Sequence, residues 1–276
     1  MSSAGLLGDT ADRDYGGKLS LFNACAEPEL RQAIAGLMLK PGMRILDAGC
    51  GTGEALSWLH EAVGTDGRVV GLDLAGAHVR AARVRTAPEI LIVQATALKP
   101  PLAARSFDLV WCVNTIHHLR EPLNGIEQLA MLLRPGGRIA LGQSSLLPEM
   151  FFAWDARLER IVNDAVRQYY RDRYGLEERD LASVRALVGL LRRANMRAVH
   201  ARTLLIERVS PLSAFDSTYL LEAIFKGTWG ERLQPYMSRD DFQELSALCD
   251  PGGPAFALRR PDFHFLQSFT LAIGQL

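Results

Sequence analysis

The run Ile45-Leu46-Asp47-Ala48-Gly49-Cys50-Gly51-Thr52-Gly53 carries the strongest chemical signal in the chain. An apolar stretch ends in an acid, and glycines then alternate with other residues before a helical stretch begins. Glycine has no Cβ, so the backbone turns tightly there and a ligand can approach the amides that open the helix. Such a turn is a cradle for a nucleotide-type ligand. A second acid, Asp73, ends the next apolar run, Val69-Val70-Gly71-Leu72-Asp73, at the spacing from which an acid reaches a ribose diol. The turn reads GxGxG, whereas dinucleotide sites read GxGxxG, and this spacing argues against NAD.

Further along, Asn114-Thr115-Ile116-His117-His118-Leu119 sets two histidines just past another apolar run. Histidine titrates near neutral pH and is the side chain best suited to take a proton as a general base. The pair can equally pack or cap a loop. Adjacent histidines rarely face one ion, and Cys25, Cys50, Cys112 and Cys249 are scattered, so no metal site is expected. Ser144-Ser145 lacks the glycines of a nucleophile elbow, and the hydrolase reading falls away.

These residues need a scaffold that brings the ends of several apolar runs to one edge. From Arg44 to Ser145, β-branched runs alternate with amphipathic stretches, the pattern of βαβ units in a parallel sheet. The runs Arg44–Ala48, Arg68–Leu72, Ile90–Gln94, Phe107–Asn114 and Arg138–Gln143 are predicted strands. Helices are predicted over Glu54–Val63, Gly76–Thr86 and Glu121–Leu133, and Pro135-Gly136-Gly137 is read as a sharp stop before the fifth strand. Beyond Ser145, Phe151, Trp154, Leu158, Ile161, Ala165 and Tyr169 recur at helical spacing and predict one shared helical face. A helix over Asp180–Asn195, a strand over Ala198–Val209, a helical insertion over Ser213–Cys249, a Gly/Pro-rich loop over Asp250–Pro261 and a last strand over Phe263–Ile273 complete the reading.

Bulk composition narrows the function classes. The chain has 276 residues, 48% hydrophobic and 22% charged, enough for one large α/β domain with insertions. Lys plus Arg and Asp plus Glu number 31 each, so no global field favours nucleic acid or an anionic membrane, and neither is an expected partner. Met1 to Tyr15 lacks the pattern of a signal peptide, no apolar run reaches the roughly 20 residues needed to span a bilayer, and the cysteine usage fits a reducing cytoplasm.

Together the D-x-G-x-G-x-G turn and the acid closing the second strand resemble the class I S-adenosylmethionine-dependent methyltransferase family, in its small-molecule type. Three further segments match it: Gln94-Ala95-Thr96-Ala97, Phe107-Asp108-Leu109-Val110 and Leu133-Arg134-Pro135-Gly136-Gly137. The resemblance covers about Leu39 to Gln143. It implies a Rossmann-like, doubly wound α/β sheet of seven strands, mostly parallel with an antiparallel last strand, carrying helical insertions. The cofactor implied is S-adenosylmethionine, with S-adenosylhomocysteine as product.

On that resemblance Asp47, Gly49, Gly51 and Gly53 lie beside the methionine portion of the cofactor, Asp73 takes the ribose hydroxyls, Leu74 and Ala97 flank the adenine, and Asn114 sits near the methionine portion. The sequence departs from the family at Thr96, where an Asp usually meets the adenine amino group; a neutral acceptor makes a weaker bond than a charged one. His117 and His118 are the candidate catalytic residues for taking the acceptor's proton. Tyr15, Phe22, Phe152, Trp154 and Tyr169 are candidate acceptor contacts, although an aromatic face at helical spacing is more often core. Residues 1–38 are expected to form a helical cap, 39–145 the cofactor-binding core, and 147–180 with 211–250 the insertions, serving as an acceptor lid or as the interface of a homodimer. The alternative from another class is a fold relative that binds the cofactor without transferring methyl.

Overall fold

The computed structural model describes residues 16–144, 151–152, 155–175 and 183–276. Its sheet is built from β1 (Arg44–Ala48), β2 (Arg68–Asp73), β3 (Leu91–Gln94), β4 (Phe107–Val113), β5 (Leu133–Ser144), β7 (Arg197–Val209) and β8 (His264–Gln275), with the two-residue β6 (Phe151–Phe152) as an addition. The long strands lie in the order β3-β2-β1-β4-β5-β8-β7. The pairings among β1 to β5 are parallel, and β8 runs antiparallel to both β5 and β7. This is the Rossmann-like mixed sheet expected, with β6 pairing on β8 through Phe151 opposite Leu266 and Phe152 opposite Phe265.

Central strands are apolar on both sides because both faces are covered. Along β4, Leu109 and Trp111 join one core with α1 (Gly16–Ala35) and α2 (Glu54–Val63). Val110 and Cys112 point the other way, into a core with α4 (Pro122–Ala130) and α6 (Ser183–Arg193). Helix α3 (Gly76–Arg85) follows β2 on the first side through Val79 and Ala82.

Three boundaries differ from the sequence reading. Leu133 already pairs with Phe107, so Pro135-Gly136-Gly137 is a bulge inside β5, with Gly136 at φ 78°, and α4 ends at Ala130. A bulge absorbs a proline that a regular ladder would not. Phe151 and Phe152 belong to β6, and the following helix α5 (Ala156–Tyr174) starts only where the Asp155 side chain accepts from Arg157 N. Its buried seam is Leu158, Val162, Ala165 and Val166, so the periodicity that drew Phe151 into one helix crossed a strand. Trp154 and Tyr15 lie outside the described residues.

The segment after β7 forms α7 (Ala214–Thr218), a wide π-helical stretch (Tyr219–Trp229), a 3₁₀ turn (Glu231–Tyr236) and α8 (Arg239–Cys249). Tyr219, Leu220, Ile224 and Trp229 of the π-helical stretch are buried in the same core as α1 and α5. Arg157 of α5 bridges to Asp241 and Glu244 of α8, which ties the two insertions to each other. Among the described residues no helix is long and apolar enough to cross a membrane, and no cluster of three or more His, Cys, Asp and Glu could hold a metal ion.

Candidate functional site

The carboxyl ends of β1, β2 and β4 meet at the glycine turn. Leu72 O accepts from both Gly49 N (2.6 Å) and Cys50 N (3.0 Å), which pins the turn to the end of β2. Gly49 has φ 80°, and a Cβ added there would fall 2.0 Å from Thr115 Oγ1, so the position excludes every side chain by both conformation and space. Gly53 has φ 92° and would meet the α3 backbone at Ala82, so it serves the close packing of α2 on α3.

Two acids stand at this turn in opposite states. Asp73 is anchored: its Oδ2 accepts from Gly51 N (2.8 Å), and its Oδ1 accepts from Ala75 N (2.9 Å) and lies 3.3 Å from His78 Nδ1. Asp47 is 2% exposed and its Oδ2 has no hydrogen-bond partner. Burial, reinforced by the nearby Asp73 and Glu54 carboxylates, holds the Asp47 carboxyl well above the usual carboxylate range. A buried orphaned oxygen of this kind is a site awaiting a cation or a donor.

In front of the turn opens a cleft of about 950 Å³, its mouth included. Asp47, Gly49, Gly51, Asp73, Leu74, Thr96, Ala97 and Asn114 all line it. Gly53 does not. Asn114 adopts a left-handed conformation at φ 51°, and its Oδ1 accepts from Ser144 N and Ser144 Oγ at 2.8 and 3.0 Å, fixing the side chain across the ends of β4 and β5. Thr96 Oγ1 accepts from Leu98 N, so part of its capacity holds the turn after β3. Burial pushes the Cys50 thiol, also on the wall, well above its ordinary range, which leaves no thiolate for nucleophilic chemistry.

The other candidates divide. His118 is buried and lines the cleft, whereas His117 packs against it at a tilt with ring centroids 4.0 Å apart and is not part of the lining. Phe22 lines the cleft from α1. Tyr169 instead packs edge-on against Tyr170 and Tyr236, with Arg232 over its ring, so it belongs to the contact between α5 and the second insertion. Phe152 is placed only as a residue of β6. The sequence reading missed Leu19 and Asn23 of α1 and Trp111, Val113 and Thr115 at the end of β4. Leu19, Phe22 and Asn23 share helical spacing, a signal open to inspection, but nothing local says that this face covers a ligand.

Residues 46–141 match the family model described as a methyltransferase domain. Over 129 residues the chain is 35% identical to 27-O-demethylrifamycin SV methyltransferase of Amycolatopsis mediterranei, covering 45% of this chain and 47% of that protein. It is 34% identical over 146 residues to 2-phytyl-1,4-naphtoquinone methyltransferase of Thermosynechococcus vestitus, covering 50% and 64%. The chain spans about half the length of the curated relatives it matches. Its fold is similar to a SAM-dependent methyltransferase from Aquifex aeolicus (TM-score 0.51, 21% identity, 70% of this chain and 93% of that one). A similar likeness holds for the YcgJ protein from Bacillus subtilis (TM-score 0.55, 15% identity, 89% and 97%). Over residues 46–141 the chain is thus similar to the methyltransferase-domain family, on a fold shared with S-adenosylmethionine-dependent methyltransferases.

The residues present fit the family's cofactor. Gly51 presents bare backbone to the cleft, with Leu19 Cδ1 as the neighbour an added Cβ would meet, and the orphaned Asp47 Oδ2 suits the ammonium of its methionine portion.

Proposed function

We propose that this protein moves a methyl group from S-adenosylmethionine to an oxygen, nitrogen or carbon atom of a small-molecule acceptor in specialised metabolism. The observation that carries the reading is the pair of acids flanking a glycine-rich turn, one orphaned and one held rigid by backbone amides. A rigid Asp73 keeps its remaining lone pairs directed at a ribose diol, and Asp47 receives a cationic ammonium. Leu74, Thr96 and Ala97 line the cleft and would flank the adenine.

Bound there, the cofactor would supply an activated methyl group on a sulfonium leaving group. The protein's part is then to hold and orient, which is where most of the rate arises in such a transfer. Asn114, fixed by Ser144, lines the cleft together with Leu19 and Phe22 of α1, and these residues would hold and shield the bound cofactor. His118 takes the acceptor's proton where the acceptor is a hydroxyl or an amine. Small-molecule acceptors in the names of the rifamycin and naphthoquinone relatives support a compact acceptor, as does the aromatic and aliphatic wall of Phe22, Trp111, Val113 and Leu119.

Titration calorimetry with S-adenosylmethionine, S-adenosylhomocysteine and NADH, on the wild type and on Asp73→Ala, tests the cofactor. The expected result is binding of the two sulfur compounds alone, weakened about 100-fold in the variant through loss of charge-assisted bonds. Absence of binding by either sulfur compound withdraws the enzyme assignment. Release of S-adenosylhomocysteine that depends on an added acceptor then separates methyl transfer from mere cofactor binding.

A further inference from the structure

Glu54, the first residue of α2, has a side chain only 10% exposed and serves no step described above. Four groups converge on its carboxylate. Oε1 accepts from Ser20 Oγ at 2.8 Å and pairs with Arg85 Nη2 at 3.1 Å. Oε2 accepts from Asn23 Nδ2 at 3.1 Å and from Thr52 Oγ1 at 2.7 Å. Ser20 and Asn23 belong to α1, so the acid that opens α2 grips the helix lying over the cleft. A carboxylate at a helix N-terminus is also favoured by the helix dipole, which makes this a stable anchor point. The gripped segment carries the cover itself: Leu19, Phe22 and Asn23 line the cleft, and the space a Gly51 Cβ would enter is bounded by Leu19 Cδ1 at 3.2 Å.

A second set of contacts holds α1 further along. Pro28 lies inside this helix and cannot donate the backbone hydrogen bond that a regular helix needs there. At the same level the Arg208 guanidinium enters from β7. It donates to the Cys25 carbonyl, to both oxygens of Glu29 (2.8 and 2.9 Å), and through Nε to Asp216 of α7 (2.8 Å). Arg208, Glu29 and Asp216 are each under 15% exposed, so this clamp is nearly closed to solvent. The helix is thus held firmly beside its proline, while the half that covers the cleft is held by the hydrogen bonds to Glu54.

We propose that Glu54 is a positioning residue for the cofactor: it latches residues 16–24 over the cleft, and the turn Cys25–Glu29 around Pro28, pinned by Arg208, is the hinge on which that half lifts. Lifting breaks the bonds from Ser20 and Asn23 to Glu54 and moves Leu19 and Phe22 off the glycine turn. It also strains the contacts of Lys18 with Thr228 (3.3 Å) and of Phe22 with Tyr219, so the cover communicates with the second insertion. The functional part of this inference rests on the cofactor reading above; the mechanical part does not.

Hydrogen exchange on the ligand-free protein, comparing wild type with Glu54→Gln, tests the mechanics. Exchange of the amides in 16–24 should accelerate about tenfold, the scale of losing one charge-assisted bond, while 29–35 stays unchanged. Equal acceleration on both sides of Pro28, or none on either, overturns the hinge. Stopped-flow displacement of S-adenosylhomocysteine tests the consequence: dissociation should be about tenfold faster in Glu54→Gln. An unchanged rate overturns the latch, because a purely structural role would lower thermal stability without selecting the off-rate. Should Glu54→Gln fail to fold, Ser20→Ala removes one latch bond without touching the cleft, and the same asymmetry is expected at smaller size. A wild type that binds no S-adenosylhomocysteine defeats the proposed function, whereas the exchange asymmetry still decides the latch.

Discussion

The glycine-turn side of the molecule and the insertion side are built on different principles. Around β1 and β2, the shape is fixed by backbone: Leu72 O holds two turn amides, Asp73 holds two more, and Gly49 leaves no room for a side chain. Around α1, α5 and the 213–249 segment, shape comes from side chains meeting across long sequence separations, through Arg208 with Glu29, Arg157 with Asp241, and Tyr219 with Gln267. The first arrangement suits an invariant ligand portion. The second depends on side-chain pairs that a single substitution can remove.

The largest expected effect breaks the first region. Gly49→Ala must move Thr115 and adopt a disfavoured φ, so S-adenosylhomocysteine affinity should fall at least about 100-fold by calorimetry. Retained affinity would mean that the turn has slack the geometry denies. Next comes the second region: Arg208→Ala leaves Glu29 and Asp216 without their buried partner, and chemical denaturation should record a loss of about 3 kcal/mol. Cofactor affinity should fall less than in Gly49→Ala; a reversed ranking would erase the distinction between the two regions.

His118→Asn sharpens the boundary where they meet. With a protic acceptor kcat should drop about 100-fold while S-adenosylhomocysteine affinity changes little, as measured by steady-state kinetics beside calorimetry. A change confined to affinity would make the residue a wall and not a base.

The smallest effect concerns Asp47. Its carboxyl is raised above 3.8 in the folded chain, so the folded state holds its proton more tightly than the unfolded one. Its contribution therefore favours the fold at low pH and is lost as pH rises from about 3.8 through the folded value. Asp47→Asn should remove this penalty and raise ligand-free stability by about 1 kcal/mol at neutral pH, while weakening cofactor binding. Thermal melts at pH 5 and pH 8 check the sign: the advantage of the variant should grow with pH.

Much of this was legible before the fold. The D-x-G-x-G-x-G turn, the acid at Asp73 and the alternation of strands and helices are local patterns, because backbone conformation and helix capping act over a few residues. The tertiary structure decided what local pattern cannot carry. It showed Gly49 facing Thr115, His118 and not His117 on the cleft, and Tyr169 turned into the packing of the insertions. It also placed Phe151 in a strand, since pairing with β8 outweighed a helical spacing that happened to continue across it. Covering of the cleft by α1 was the least readable feature. It depends on Glu54 from α2 and Arg208 from β7 reaching one helix on either side of its Pro28, and such a convergence exists only once the chain is folded.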